Sequence, residues 1–112
     1  MQLTIEIETS GPLLAFDLMI RPRSLGTGTT ATIPDVGVVE LKSMREQRAA
    51  DLPTIITIAV SVGANVGASL VANWLYDKIK GRARTVRIDR VEVHLDKGEI
   101  QRVIAERIED KH

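Results

Sequence analysis

The chain has no cysteine, only three aromatic residues and only two histidines among its 112 residues. The first absence excludes disulfides, thiolate nucleophiles and cysteine metal sites, and it fits a reducing cytoplasm. With a single Phe, Tyr and Trp, aromatic platforms for stacking bases or sugars are nearly excluded, and the core must come from Ile, Val, Leu, Met and Ala. His94 and His112 are sparse material for a metal centre, and the sequence contains no HExxH, Walker-type phosphate loop or nucleophile elbow. No basic leader precedes the first strand-like residues, where Glu6 and Glu8 already appear, so no secretory signal is expected.

Charge of one net sign is also lacking: 15 basic and 15 acidic residues cancel. The balance is local rather than uniform. Lys78, Lys80, Arg82, Arg84, Arg87 and Arg90 oppose only Asp89 across residues 78–90. Lys80, Arg82, Arg84 and Arg87 form a candidate basic patch for phosphates of nucleic acid, an anionic membrane or an acidic protein surface. Cations just past a helix end also complement its carbonyl dipole, so a structural role is expected ahead of a binding role.

What is present reads as one small α+β domain over residues 1–112, with a flexible loop near 22–35 that includes GTGTT. QLTIEIE alternates with period two, placing Leu3, Ile5 and Ile7 on one side of a half-buried strand. Residues 12–20 fit either a short helix, with Ser10 as cap and Pro12 in the first turn, or a second strand. VGVVELK predicts a strand over 36–42, and Ser43 with Glu46 a capped helix in SMREQRAAD. Strands at TVRI and VEVHL are in opposite phases, which predicts a bulge or tight bend at Asp89 and Arg90. Asp96 and Glu99 then cap a closing helix whose apolar stripe is Ile100, Val103, Ile104 and Ile108. The expected architecture is a small antiparallel or mixed β-sheet packed against one long apolar helix and a shorter C-terminal helix.

The long helix is expected from about Thr54 to Lys80, ended by Gly81, because no charge falls between Leu52 and Tyr76. Thr57, Ser61, Asn65, Ser69 and Asn73 recur every four residues as a polar ridge, opposite Ile58, Val62, Val66, Leu70 and Trp74. Gly63 and Gly67 make a small-xxx-small surface for a close neighbour, and Gly67→Leu is expected to overpack it. Gly63, Asn65, Gly67, Ser69 and Asn73 are therefore the candidate interaction surface. The alternative is a membrane-associated protein with a helical span at about residues 55–76, since about 22 helical residues cross roughly 30 Å of hydrocarbon. The two Asn side chains count against lipid exposure.

No catalytic residue, cofactor, metal or small-molecule substrate can be assigned. His94 is expected on the same side of a strand as Glu92, as a surface histidine rather than a proton-transfer group. Ser24, Thr27, Thr29 and Thr30 have no histidine and carboxylate assigned to activate them. The segment TIITIAVSVGANVGASLVANWLYDKIKGRARTVRID, followed by VEVHLDKGEIQRVIAERIE, resembles the effector-associated constant components of bacterial conflict systems over residues 53–109. The resemblance implies a non-enzymatic adaptor that couples partner modules in defence against phage or another conflict. Residues and resemblance alike lead to a cytoplasmic protein-interaction domain that binds a protein partner or itself.

Overall fold

A computed structural model describes residues 1–11, 13–46 and 53–110. Six strands form one sheet in the order β2-β3-β4-β1-β5-β6. Every neighbouring pair is antiparallel. The first strand in sequence, β1 (Gln2–Thr9), lies inside the sheet between β4 (Thr54–Val62) and β5 (Ala83–Ile88). β4 and β5 consequently run parallel to each other with β1 between them, joined by a helical crossover.

The alternation of QLTIEIE has its expected consequence: Leu3, Ile5 and Ile7 are fully buried. Ile56, Ile58, Val60 and Val62 of β4, Val86 and Ile88 of β5, and Val39 and Leu41 of β3 (Gly37–Arg45) share the core with them. Three helices pack on it, and Met19, Ile33, Val36 and Val93 add to it. The helices are α1 (Leu14–Leu18), α2 (Ala68–Ile79) and α3 (Lys97–Asp110), through Leu14 and Leu18, Val71, Leu75 and Ile79, and Ile100, Val103 and Ile104. The opposite sheet face carries Thr4, Glu6, Thr57, Ser61 and Arg87, in register across the central strands, and no element covers it among the described residues. The α+β class, with a sheet packed against helices, is as expected.

The uncharged segment is not one helix. Residues 54–62 form β4, five residues turn, and α2 begins only at Ala68. Seven of the nine residues in TIITIAVSV are β-branched, a composition that loses χ1 freedom in a helix and fits a pleated surface. The polar ridge therefore divides. Thr57 and Ser61 lie on the open sheet face, Asn65 is in the turn, and only Ser69 and Asn73 share a helix. Among the described residues no helix is long and apolar enough to cross a membrane, which removes the span at 55–76. α3, at 14 residues, is longer than α2, at 12.

Other expectations resolve locally. Residues 12–20 contain the short helix α1 rather than a strand, although its cap residue Leu13 makes no side-chain capping bond. Pro12 lies outside the described residues. Ser43 belongs to β3 instead of capping a helix, and the remainder of that expected helix, beyond Glu46, lies outside the described residues. The loop near 22–35 contains β2 (Thr30–Ile33), paired with Gly37–Glu40. Gly81 does end the helix, with φ +71° just past the C-cap Lys80. Asp89 and Arg90 provide the tight bend: both have positive φ and link Ile88 to its partner Val91 in β6 (Val91–Val93), the pattern of a two-residue type I′ hairpin. Asp96 Oδ2 accepts the Glu99 amide at 3.0 Å, while the Glu99 carboxylate takes Arg102 instead of closing the reciprocal cap.

Candidate interaction surface

Two loops meet at the end of the sheet where β4 stops. The first is the β2–β3 turn. Pro34 and Asp35, the latter at φ +64°, bring the Val36 amide to the Ile33 carbonyl at 3.1 Å, and Gly37 follows. A Cβ at Gly37 would stand 1.9 Å from the Ser61 carbonyl oxygen, and its φ is +153°, so only glycine lets β3 lie this close to β4. The second loop runs from Gly63 to Gly67. Its first amide donates to the Val36 carbonyl at 2.9 Å, which ties the two loops together.

Between them lies a shallow depression of about 620 Å³, walled by Pro34, Val38, Ala64, Val66 and Leu70, with Asp35 as the one charged residue on its lining. Val38 and Leu70 are 41% and 45% exposed and face the same hollow, which makes a contiguous apolar patch of them. Of the candidate interaction residues, Gly63 and Asn65 line this depression; Gly67, Ser69 and Asn73 do not. Gly67 is the N-cap of α2, and a Cβ there would meet open space within 4 Å. The expected close-packed GxxxG face is therefore not formed, and Gly67 gives no packing reason for overpacking by a larger side chain.

The basic strip is distributed rather than gathered. Arg82 Nη1 is 2.7 Å from Asp17 Oδ2, Lys80 Nζ is 3.8 Å from Asp77 Oδ1, and Arg87 lies 2.8 Å from Glu6, 3.8 Å from Glu8 and 3.7 Å from Glu92. Arg84 is the unpaired extra residue where the β1–β5 register shifts, and it has no ion pair with a described residue. The hydrogen bond from Arg82, with a second from Arg21, holds the Asp17 carboxyl below its ordinary range. Arg102 does the same for Glu99.

His94 lies just past β6, which ends at Val93, rather than in a strand as expected; with Glu92, Arg84 and Thr85 it lines a hollow of about 260 Å³. Among the described residues no three His, Cys, Asp or Glu side chains come together as a metal-ligand group. In the GTGTT turn, the Gly26 amide donates to Thr29 Oγ1 at 3.0 Å and the Gly28 amide to the Leu41 carbonyl at 2.8 Å. These donors are thus already used, which argues against a phosphate cradle there.

Sequence reasoning missed two features. Asp89 Oδ1 accepts the Thr4 amide at 2.8 Å and Oδ2 takes Arg107 Nε at 3.1 Å, so one turn carboxylate joins β1 and α3. Asp and Asn favour such positive-φ turns, and that preference is the sequence signal for it. The other is the cluster of Leu13, Phe16, Arg21 and Arg82 around Asp17, which encloses about 300 Å³; no sequence spacing joins residue 82 to α1. No protein-family model, curated protein or solved structure matches the chain.

Proposed function

We propose that the chain is a non-enzymatic protein-interaction or adaptor domain, cytoplasmic, and working in a bacterial or phage conflict system as its resemblance implies. The observation that carries the reading is the apolar depression between the β2–β3 turn and the β4–α2 loop, where Val38 and Leu70 stand half in solvent with almost no charge around them. A contiguous apolar hollow on an otherwise charged surface favours association with another protein, because burying it there removes apolar area from water. Its walls are anchored by the Gly63–Val36 hydrogen bond and by β3–β4 pairing, so a partner meets a preformed shape and little ordering entropy opposes binding.

The test is a photoreactive phenylalanine derivative at position 70, compared with the same residue at the exposed position Glu109 of α3. In cells containing the chain's native neighbours, position 70 should give a discrete cross-linked protein product that Val38→Asp abolishes, and position 109 should give none. Absence of any discrete product from position 70 would remove the basis for the proposal.

A further inference from the structure

One wall of the depression is also a sheet edge. β2 ends the sheet, and among the described residues its only ladder is with β3. Edge strands expose unpaired N–H and C=O groups, and proteins that remain monomeric usually blunt them with charge, proline or a bulge. The far edge, β6, is only three residues long and has Glu92 at its centre. The part of β3 that extends beyond β2 carries Lys42 at a register shift, followed by Arg45. β2 is also short, at four residues, but Thr30–Ile33 contains no charge, proline or bulge, and no charge occurs between Arg23 and Asp35.

We infer that β2 is a self-pairing edge: a second copy of this chain adds its own β2 antiparallel to it about a twofold axis normal to the sheet. This inference rests on the interaction-domain reading and names the partner. The charge-free strip is what selects a second copy. A strand paired with its own image about Ala31 sets each flanking residue against the one equally far on the other side of the axis, so a strip with several charges of one sign would repel itself, and here there is none. Faces are preserved as well. Thr30 and Thr32 are exposed on the open side, whereas Ile33 is buried and Ala31 packs toward the core. Pairing Ala31 with Ala31 of the second copy keeps this division and puts Thr30 directly opposite Thr32 of the other chain. Both sheets then become one continuous surface with all helices on the same side, and the two apolar depressions flank the seam.

Light scattering of the full chain across a concentration series tests the pairing, with circular dichroism to verify folding. The wild type should approach twice the 12.3 kDa chain mass as concentration rises to hundreds of micromolar. Thr30→Lys with Thr32→Lys places like charges opposite each other, and should raise the dimer dissociation constant at least tenfold while the fold is retained. Thr30→Lys with Thr32→Glu places opposite charges across the same register and should restore the dimer. A wild type that stays monomeric overturns the inference, as does a dimer indifferent to the double lysine variant. A monomeric Lys–Glu variant beside a dimeric wild type overturns the register. If the wild type is monomeric but position 70 still cross-links to a different protein, the self-pairing fails and the interaction-domain proposal stands.

Discussion

Two glycines that look alike in the sequence have opposite constraints. Gly37 combines φ +153° with a Cβ position 1.9 Å from a backbone oxygen of the neighbouring strand, whereas Gly67 has φ −81° and open space around it. Gly37→Ala must separate β3 from β4 or distort both, so it should destabilise the protein by about 3 kcal/mol or more. Gly67→Asp should do the reverse. It places an acceptor at the N-cap of α2, where no side chain now bonds the first-turn amides, and a gain of about 0.5 kcal/mol is expected. Urea denaturation of both variants checks the contrast; similar losses from the two substitutions would contradict it. Gly67 is attractive in the sequence only because Gly63 precedes it by four residues, a spacing that has meaning on a helix alone.

At the scale of elements, α1 shows a cost that its sequence conceals. The Arg21 amide reaches back to the Phe16 carbonyl at 2.7 Å and the Ile20 amide to the Asp17 carbonyl at 3.2 Å, the two bonds of a Schellman ending. The residue that must take the left-handed conformation is Ile20, at φ +58°, although glycine normally fills this place and a β-branched side chain there is strained. Ile20 is 50% exposed, so little burial offsets the strain. Ile20→Gly should therefore stabilise the protein by about 1 kcal/mol, read as a Tm rise of roughly 4 °C in a thermal melt; an unchanged or lower Tm would show that Ile20 is not strained. The same scale explains which elements were legible. β1, the β5–β6 hairpin and α3 each had a local signature: strict alternation, a change of phase across two residues, and a cap followed by an apolar stripe. β4 was misread because residues four apart share a face in a strand as well as on a helix turn, four being a multiple of two. Its β-branched content was the better guide. β2 stayed hidden because its alternation, Thr-Ala-Thr-Ile, lasts only four residues and follows a Gly- and Thr-rich stretch. The depression was only partly legible, at Gly63 and Asn65, since its walls come from residues 32–38 and 63–70 and no local pattern joins them.

For the whole molecule, ion pairs link elements distant in sequence, and this sets a direction for acid stability. Asp17 joins α1 to the α2–β5 turn through Arg82, and both Asp17 and Glu99 hold their charge below the ordinary carboxylate range. In the unfolded chain such groups take up protons at about pH 4. A depressed folded value means the stabilisation is complete above that range and is lost as pH falls through the lower folded value. Melting temperature should accordingly be nearly constant from pH 8 to 5 and decline below about pH 4. Asp17→Asn should lower it at pH 7 and narrow the gap to wild type at pH 3; an equal gap at both values would mean that the Asp17 charge contributes nothing.

The central position of β1 carries a further consequence for the order of events during synthesis. β1 leaves the ribosome before both of its partners, Thr54–Ser61 on one side and Ala83–Ile88 on the other, so its first neighbour is made only after residue 61 and its second only after residue 88. Until then its two edges and its Leu3, Ile5 and Ile7 row are open to other nascent chains. The two ladders of β1 therefore close late and through distant pairings, whereas β2, β3 and β4, and β5 and β6, pair with their neighbours in sequence.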